Sequence, residues 1–241
     1  MCTVTFIARK RGYLLGMNRD EKLSRPAGLP PSKRKLHGHR VIYPSEPGGG
    51  TWISLNDSGV TLALINWYSV ARRVTTNPVS RGEVIPSMST ADSAEFVEAG
   101  LAKLPFPSIN PFRLIAIFPK SRSAVEWRWD LRELTRTDHN WRSRQWISSG
   151  FDEPTAQTIR SRTFKRFLTQ TSAGTSDWLR RLHSSHTPEC GPFSTCMHRP
   201  DAVTVSYTQI SVSPRKASLR HISGAPCKAA ETNARRLGLV L

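Results

Sequence analysis

Residues 1–21 read MCTVTFIARKRGYLLGMNRDE, and the reading of this stretch decides the fold. A cysteine stands directly behind the initiator methionine. Two apolar runs follow, Thr3–Ala8 and Gly12–Met17, joined by the cations Arg9, Lys10 and Arg11. Both runs suit β-strands, and Gly12 can adopt the positive φ that a tight hairpin asks for. A hairpin of this length folds its far end back beside its start. The expectation is therefore that Asn18, Arg19, Asp20 and Glu21 lie near Cys2.

That placement has a chemical use. Methionine aminopeptidase removes Met1 when the second side chain is small, and cysteine is small. The mature chain would then begin at Cys2, with a thiol and a free α-amine on one residue. The amine has a pKa near ~8 and the thiol about 8.5, so at neutral pH the amine can accept the thiol proton, directly or through a water. Asp20 can hold the ammonium, and Arg19 favours the thiolate. The competing reading is a buried strand-start cysteine without chemistry, because free cysteines are often small core residues.

At 241 residues the chain is long enough for a real core. Hydrophobic residues make up 38% and charged residues 22%, which points to a globular protein rather than a disordered one. No apolar run approaches the ~18 residues of a membrane span, and the strand-like start argues against a signal peptide. Cys2, Cys190, Cys196 and Cys227 are too few for a disulfide framework at this length. The expectation is a cytoplasmic protein with reduced thiols. The net charge of +17 favours anionic partners. Its cations are spread along the chain and no nucleic-acid-binding motif accompanies them, so a solvated basic surface or an anionic small-molecule substrate accounts for the charge better than specific nucleic-acid binding.

Further along, residues 22–50 hold five prolines and many cations without periodicity and read as a long loop. Thr51–Leu55 and Val60–Asn66 form a second hairpin around Asn56-Asp57-Ser58-Gly59. Its second strand is apolar at nearly every position, so it should be buried on both faces, and it ends at Asn66. A side-chain amide there is either a satisfied strand end or a donor to a developing oxyanion. Residues 71–86, which include Arg72, Arg73, Arg81 and Gly82, read as loop. Ser89–Leu104 reads as a helix capped by Ser89 or Thr90. Arg113–Phe118 and Ala124–Asp130 read as strands, the latter with Val125, Trp127 and Trp129 on one face. Thr135–Ile147 reads as a further strand region. Two helices are expected, about Glu153–Thr169 and Asp177–His186, with Arg160 off the apolar stripe of the first. Strands are expected over Phe193–His198, Val203–Val212 and Ala217–Ile222, with a tail at Ala229–Leu241 that reads as helical. Antiparallel strand runs with helices between them suggest two stacked sheets covered by helices. With no repeat or linker, one domain spanning 1–241 is expected.

His183, His186, Cys190, Cys196 and His198 offer the nitrogen and sulfur ligands that zinc prefers. Their spacing is not that of a standard finger, so the expectation from the sequence is no metal.

The residues MCTVTF, Asn18-Arg19-Asp20-Glu21, Gly49-Gly50-Thr51-Trp52, Asn56-Asp57-Ser58-Gly59 and Leu64-Ile65-Asn66 resemble the NRDE family, the group of the transport and Golgi organisation protein 2. The likeness is specific over roughly the first ninety residues. Later pieces, Ser148-Ser149-Gly150 and Cys196–Ala202, are similar to bacterial members. The family in turn resembles N-terminal nucleophile hydrolases, α+β proteins with a four-layer αββα sandwich of two antiparallel sheets. Among these, penicillin V acylases and bile salt hydrolases open with the same Met-Cys. The resemblance implies hydrolysis of a small-molecule, non-peptide amide without metal or cofactor. It matches Cys2 to the nucleophile and base, Asp20 to the aspartate that positions it, and Asn66 to an oxyanion-hole asparagine. Penicillin V acylases carry an arginine where this chain has Met17, and Arg19 is the candidate substitute from the neighbouring strand face. Their second functional asparagine falls near Ser149, and Arg199 is a candidate for a late arginine. Other family roles, in haem or lipid handling and in Golgi organisation, need no hydrolysis.

Overall fold

The computed structural model describes residues 2–228 and 235–240. In its first hairpin, β1 (Cys2–Ala8) pairs with β2 (Tyr13–Lys22) in a register that sets Ala8 opposite Tyr13 and Cys2 opposite Arg19. Alternation then divides the hairpin between two cores. Val4, Phe6, Tyr13, Leu15 and Met17 face a second sheet. Ile7 and Leu14 face helices on the other side.

The hairpin lies in a six-stranded sheet. β10 (Arg144–Ser148) flanks β1, and β11 (Ala202–Ser213), β12 (Lys216–Ser223) and β13 (Arg235–Val240) follow β2. The second sheet runs in chain order from β3 (Leu29–Leu36) and β4 (His39–Ser45) through β5 (Ile53–Asn56), β6 (Thr61–Asn66), β7 (Phe112–Phe118) and β8 (Ser123–Trp129) to β9 (Leu134–His139). Every strand pairing is antiparallel. Ile53, Leu55, Ala63, Ile65, Ile115 and Ile117 meet the first hairpin between the sheets. Fully burying each such side chain contributes about 1.5–3 kcal/mol, which makes this layer the main source of cohesion. Tyr13 adds direction, because its hydroxyl donates to Gly59 O at 2.8 Å across the gap.

Helices close both outer faces. α2 (Glu153–Leu168) and α3 (Ser176–His183) lie on the six-stranded sheet, where Phe164, Trp178, Leu179 and Leu182 cover Ile7 and Leu14. α1 (Ala94–Leu101) lies on the seven-stranded sheet, where Val97 and Leu101 pack with Trp127 and Trp129. The result is an αββα sandwich. Trp127 and Trp129 thus face a core.

The structure departs from the sequence reading in several places. Residues 22–50 are not a plain loop, because they contain the β3–β4 hairpin. Its turn is His37-Gly38, with φ of 48° and 84°, the pair of positive values that two-residue hairpin turns need. β3 is an edge strand, where Pro30 and Pro31 are tolerated and Lys33 and Lys35 face solvent, so its apolar alternation is missing. α1 starts at Ala94 under a Ser93 cap, not at Ser89. The carbonyls of Ser89 and Ala91 are taken by the Asn56 amide at 3.1 and 2.7 Å, which holds that segment out of the helix. Thr135–Ile147 is two strands, β9 and β10, in different sheets. Phe193–His198 is not a strand: Ser194 Oγ donates to Gly191 O and Cys196 O, folding the segment on itself. In the tail, 235–240 is a strand on β12 rather than a helix, with Leu239 in the inter-sheet core, while 229–234 and 241 lie outside the described residues.

Candidate active site

The open end of the first hairpin forms one wall of a cavity of about 210 Å³. Cys2, Arg19, Asp20 and Asn66, the four residues singled out from the sequence, all line it. Cys2 stands at the start of β1 between Arg19 on β2 and Ser148 on β10, and is 7% exposed. Burial pushes its thiol pKa up and Asp20 and Glu21 push the same way, while the terminal ammonium and then the Arg19 charge work against them.

Arg19 is held firmly. Its guanidinium lies 2.6 Å from Glu46 and 3.5 Å from Glu21, and 4.4 Å from the centre of the Trp52 ring. Asp20 projects from the opposite face of β2 and is wholly buried. Thr204 Oγ1 donates to its Oδ1 at 2.7 Å, and Arg160 Nη1 lies 3.4 Å from its Oδ2. Asn66 closes β6, half-buried, with Nδ2 donating to the Tyr68 hydroxyl at 2.9 Å. Burial alone would raise the Tyr68 pKa, yet it lies below the ordinary phenol value, drawn down first by the terminal ammonium and then by that hydrogen bond and the Arg81 charge.

Two arginines escaped the sequence reading. Arg160 was expected off the apolar stripe of α2. Instead the buried stripe is Glu153, Ala156, Arg160, Thr163 and Phe164, a helical spacing that includes the cation. Arg160 Nη1 also donates to Thr3 Oγ1 at 2.8 Å, and the same guanidinium reaches Pro192 O and Phe193 O at 3.2 and 3.4 Å. Arg81, from a short 3₁₀ turn at Arg81–Glu83, enters the Cys2 cavity. Its only sequence signal is a cation beside Gly82 in an irregular segment. Gly82 matters to the wall, since it packs against Gly50 so closely that a Cβ there would lie 3.1 Å from Gly50 Cα.

The remaining candidates fall elsewhere. Met17 is buried between the sheets. Ser149 is buried, with its N–H donating to Glu153 Oε1 at 3.3 Å. Arg199 pairs with Asp201 and packs on Phe151, and does not line the cavity. Of the five histidines and cysteines grouped from the sequence, His183 ends α3 and is buried with Nε2 3.0 Å from Thr5 Oγ1, and Cys190 is exposed. His186, Cys196 and His198 do come together, joined by Cys227.

Two solved structures share this architecture. Penicillin V acylase from Agrobacterium tumefaciens superposes with a TM-score of 0.52 at 11% identity, covering 92% of this chain and 83% of that one. A mutant of the conjugated bile acid hydrolase from Clostridium perfringens superposes with a TM-score of 0.55 at 9% identity, covering 100% of this chain and 92% of that one. The fold is that of the N-terminal nucleophile hydrolases. Residues 1–137 match the family described as Transport and Golgi organisation 2, and the chain belongs to that family. No curated protein sequence matches it. Among the described residues no helix is long and apolar enough to cross a membrane.

Proposed function

We propose that this chain is a cysteine N-terminal nucleophile amidohydrolase that cleaves a non-peptide amide bond of a small molecule in the cytoplasm. The observation that carries the reading is the convergence of Cys2, Arg19, Asp20 and Asn66 on one cavity. With Met1 removed, the Cys2 amine takes the thiol proton as sulfur attacks the amide carbonyl. The carbonyl oxygen gains charge, and Asn66 Nδ2 is the donor that receives it, exchanging its bond to Tyr68. The ammonium of Cys2 then protonates the leaving amine. Water hydrolyses the resulting thioester and restores the thiol. Asp20, fixed by Thr204 and Arg160, holds the ammonium in place. Arg81 and Arg19 give the cavity cations suited to an anionic substrate, although Glu21 and Glu46 partly offset them.

A second reading has its own observation. Met17 turns into the core and Arg19 is engaged by Glu46, so the cations that would lower the thiol pKa are partly spent. On that reading the fold is a binding or trafficking module, for haem or lipid or in Golgi organisation, with no turnover.

Untagged protein separates the two. Intact mass reads whether Met1 is gone, and an amide library then tests turnover by wild type and Cys2→Ser. Hydrolysis lost in Cys2→Ser supports the enzyme. Retained Met1, or turnover surviving in Cys2→Ser, sinks it.

A further inference from the structure

His186 follows α3, Cys196 and His198 lie in the folded segment before β11, and Cys227 follows β12. One potential ligand atom from each lies within 4.8 Å of all the others. His198 Nε2 is 3.6 Å from Cys196 Sγ and 3.3 Å from Cys227 Sγ. The rings of His186 and His198 meet edge to face at 5.1 Å. His186 Nε2 is buried and has no hydrogen-bond partner. Around tetrahedral zinc, with Zn–S near 2.3 Å and Zn–N near 2.0–2.1 Å, adjacent sulfur and nitrogen atoms lie about 3.6 Å apart. The two His198 distances sit close to that edge length. Two thiols and two imidazoles are moreover a common structural zinc set, in which both thiols lose their protons to solvent on binding.

We propose that His186, Cys196, His198 and Cys227 bind one structural zinc ion. All four positions of the tetrahedron are then filled by protein, leaving none for water or substrate, so the ion staples rather than reacts. What it staples is informative. The segment between α3 and β11 has almost no regular structure, and the site fixes it at both ends and to the strand end at Cys227. Met197, between two of the ligands, donates its N–H to Thr204 Oγ1 at 2.8 Å, and Thr204 donates to Asp20. Arg160 grips the same segment at the Pro192 and Phe193 carbonyls. Zinc would thereby hold in place Thr204 and Arg160, which fix Asp20, whatever reaction the Cys2 cavity supports. The sequence concealed the site because its fourth ligand, Cys227, lies far from the other three, and because His183 and Cys190 diluted the cluster.

The test is metal analysis of the untagged full chain, purified in reductant without chelator. About one zinc per chain is expected. Cys227→Ser and His198→Ala should each lower retained zinc at least about tenfold, because losing a direct ligand costs no less than losing a residue that only supports one. Cys190→Ser should leave it unchanged. Because a ligand variant can fail to fold, the wild-type chain carries a second readout. Cobalt loading should produce a thiolate-to-metal charge-transfer band and the strong visible bands of a tetrahedral ion, and chelation should lower Tm reversibly, with zinc restoring it. A reduced wild-type chain that stays metal-free after zinc addition and buffer exchange would overturn the proposal. So would zinc retained in full by Cys227→Ser, octahedral cobalt spectra, or a Cys196–Cys227 disulfide in protein isolated without reductant.

Discussion

Arg160 Nη1 lies 3.4 Å from Asp20 Oδ2, and neither side chain is more than 1% exposed. The pair joins α2 to the first hairpin at the very residue expected to hold the Cys2 amine. Removing one partner of a buried ion pair strands the other charge, at a cost of about 3–5 kcal/mol. Arg160→Met should therefore lose about that much in urea unfolding. Arg160→Lys keeps the charge but not the planar fork that also reaches Thr3, Pro192 and Phe193, so it should recover only part of the loss. Equal stability for wild type and Arg160→Met would show that the pair does not fix Asp20.

The first hairpin was legible because one side of each strand is apolar and Gly12 marks the turn, and its register alone puts Cys2 opposite Arg19. The β3–β4 hairpin was not, because an edge strand built from Ser32, Lys33, Arg34 and Lys35 carries no apolar alternation. Arg160 was misplaced for a related reason. Hydropathy assigns every arginine to solvent, while a buried arginine is defined by partners far away in sequence, here Thr3 and Asp20. Arg81 was passed over because its segment has no period to read. The hairpin itself brought Asp20 beside Cys2, whereas Asn66 stayed open between a satisfied strand end and an oxyanion donor, and the family likeness favoured the second.

Arg81 and Cys2 share the cavity, and the interaction between them is favourable to Arg81's charged form, although burial draws the Arg81 pKa down. By reciprocity Arg81 favours the thiolate of Cys2. Arg81→Gln should raise the Cys2 pKa and slow its alkylation at neutral pH several-fold. Labelling of the exposed Cys190 serves as the internal reference. An unchanged Cys2-to-Cys190 rate ratio would count against any electrostatic role for Arg81.

Acid should unfold this protein through two buried histidines. Burial, with the Arg160 charge, pulls His183 from 6.5 to about 3, and burial, with the Arg19 charge, pulls His221 from 6.5 to about 4. Between those values and about 6.5 the unfolded chain binds more protons than the folded one, so stability rises with pH across that window and falls as pH drops through it. The unfolding free energy from urea titrations should decline from about pH 7 to about pH 4, and His183→Gln should show a shallower decline. A decline of the same steepness in His183→Gln would assign the acid sensitivity elsewhere.

Glu126 keeps its charge to lower pH than an ordinary carboxylate. It is wholly buried, 2.6 Å from Arg113 and 3.0 Å from Arg128, and it accepts a bond from the Trp146 indole of the other sheet at 3.3 Å. Burial alone would raise its pKa, but the hydrogen bonds and charges of Arg128 and Arg113 prevail and hold it at about 2. Its folded pKa lies below the ordinary 4.5, so the stability it adds is complete above that value and is lost as pH falls toward about 2. Glu126→Gln leaves two arginines without their acid and should destabilise at neutral pH more than at pH ~3, where the carboxyl is already largely protonated in the unfolded chain. A pH-independent difference between Glu126→Gln and wild type would refute this account of the network.

Gly12 and Gly38 both sit at hairpin turns with positive φ, +88° and +84°, yet they should respond differently to alanine. Left-handed backbone costs an L-residue about 1–2 kcal/mol at either place. At Gly38 the added Cβ meets nothing within 4 Å, so the backbone term is the whole cost. At Gly12 it would lie 2.0 Å from Val212 O, an atom of the neighbouring strand's backbone that cannot swing aside as a side chain would. Relief requires β2 and β11 to move apart, and β11 also carries Thr204, which bonds to Asp20. Gly12→Ala should therefore lower Tm clearly more than Gly38→Ala and should also change Cys2 alkylation, while Gly38→Ala leaves that rate alone. Matching Tm losses in the two variants would mean that the first turn has room the structure does not show, and the hairpin register would then owe less to Gly12 than to the apolar faces of its strands.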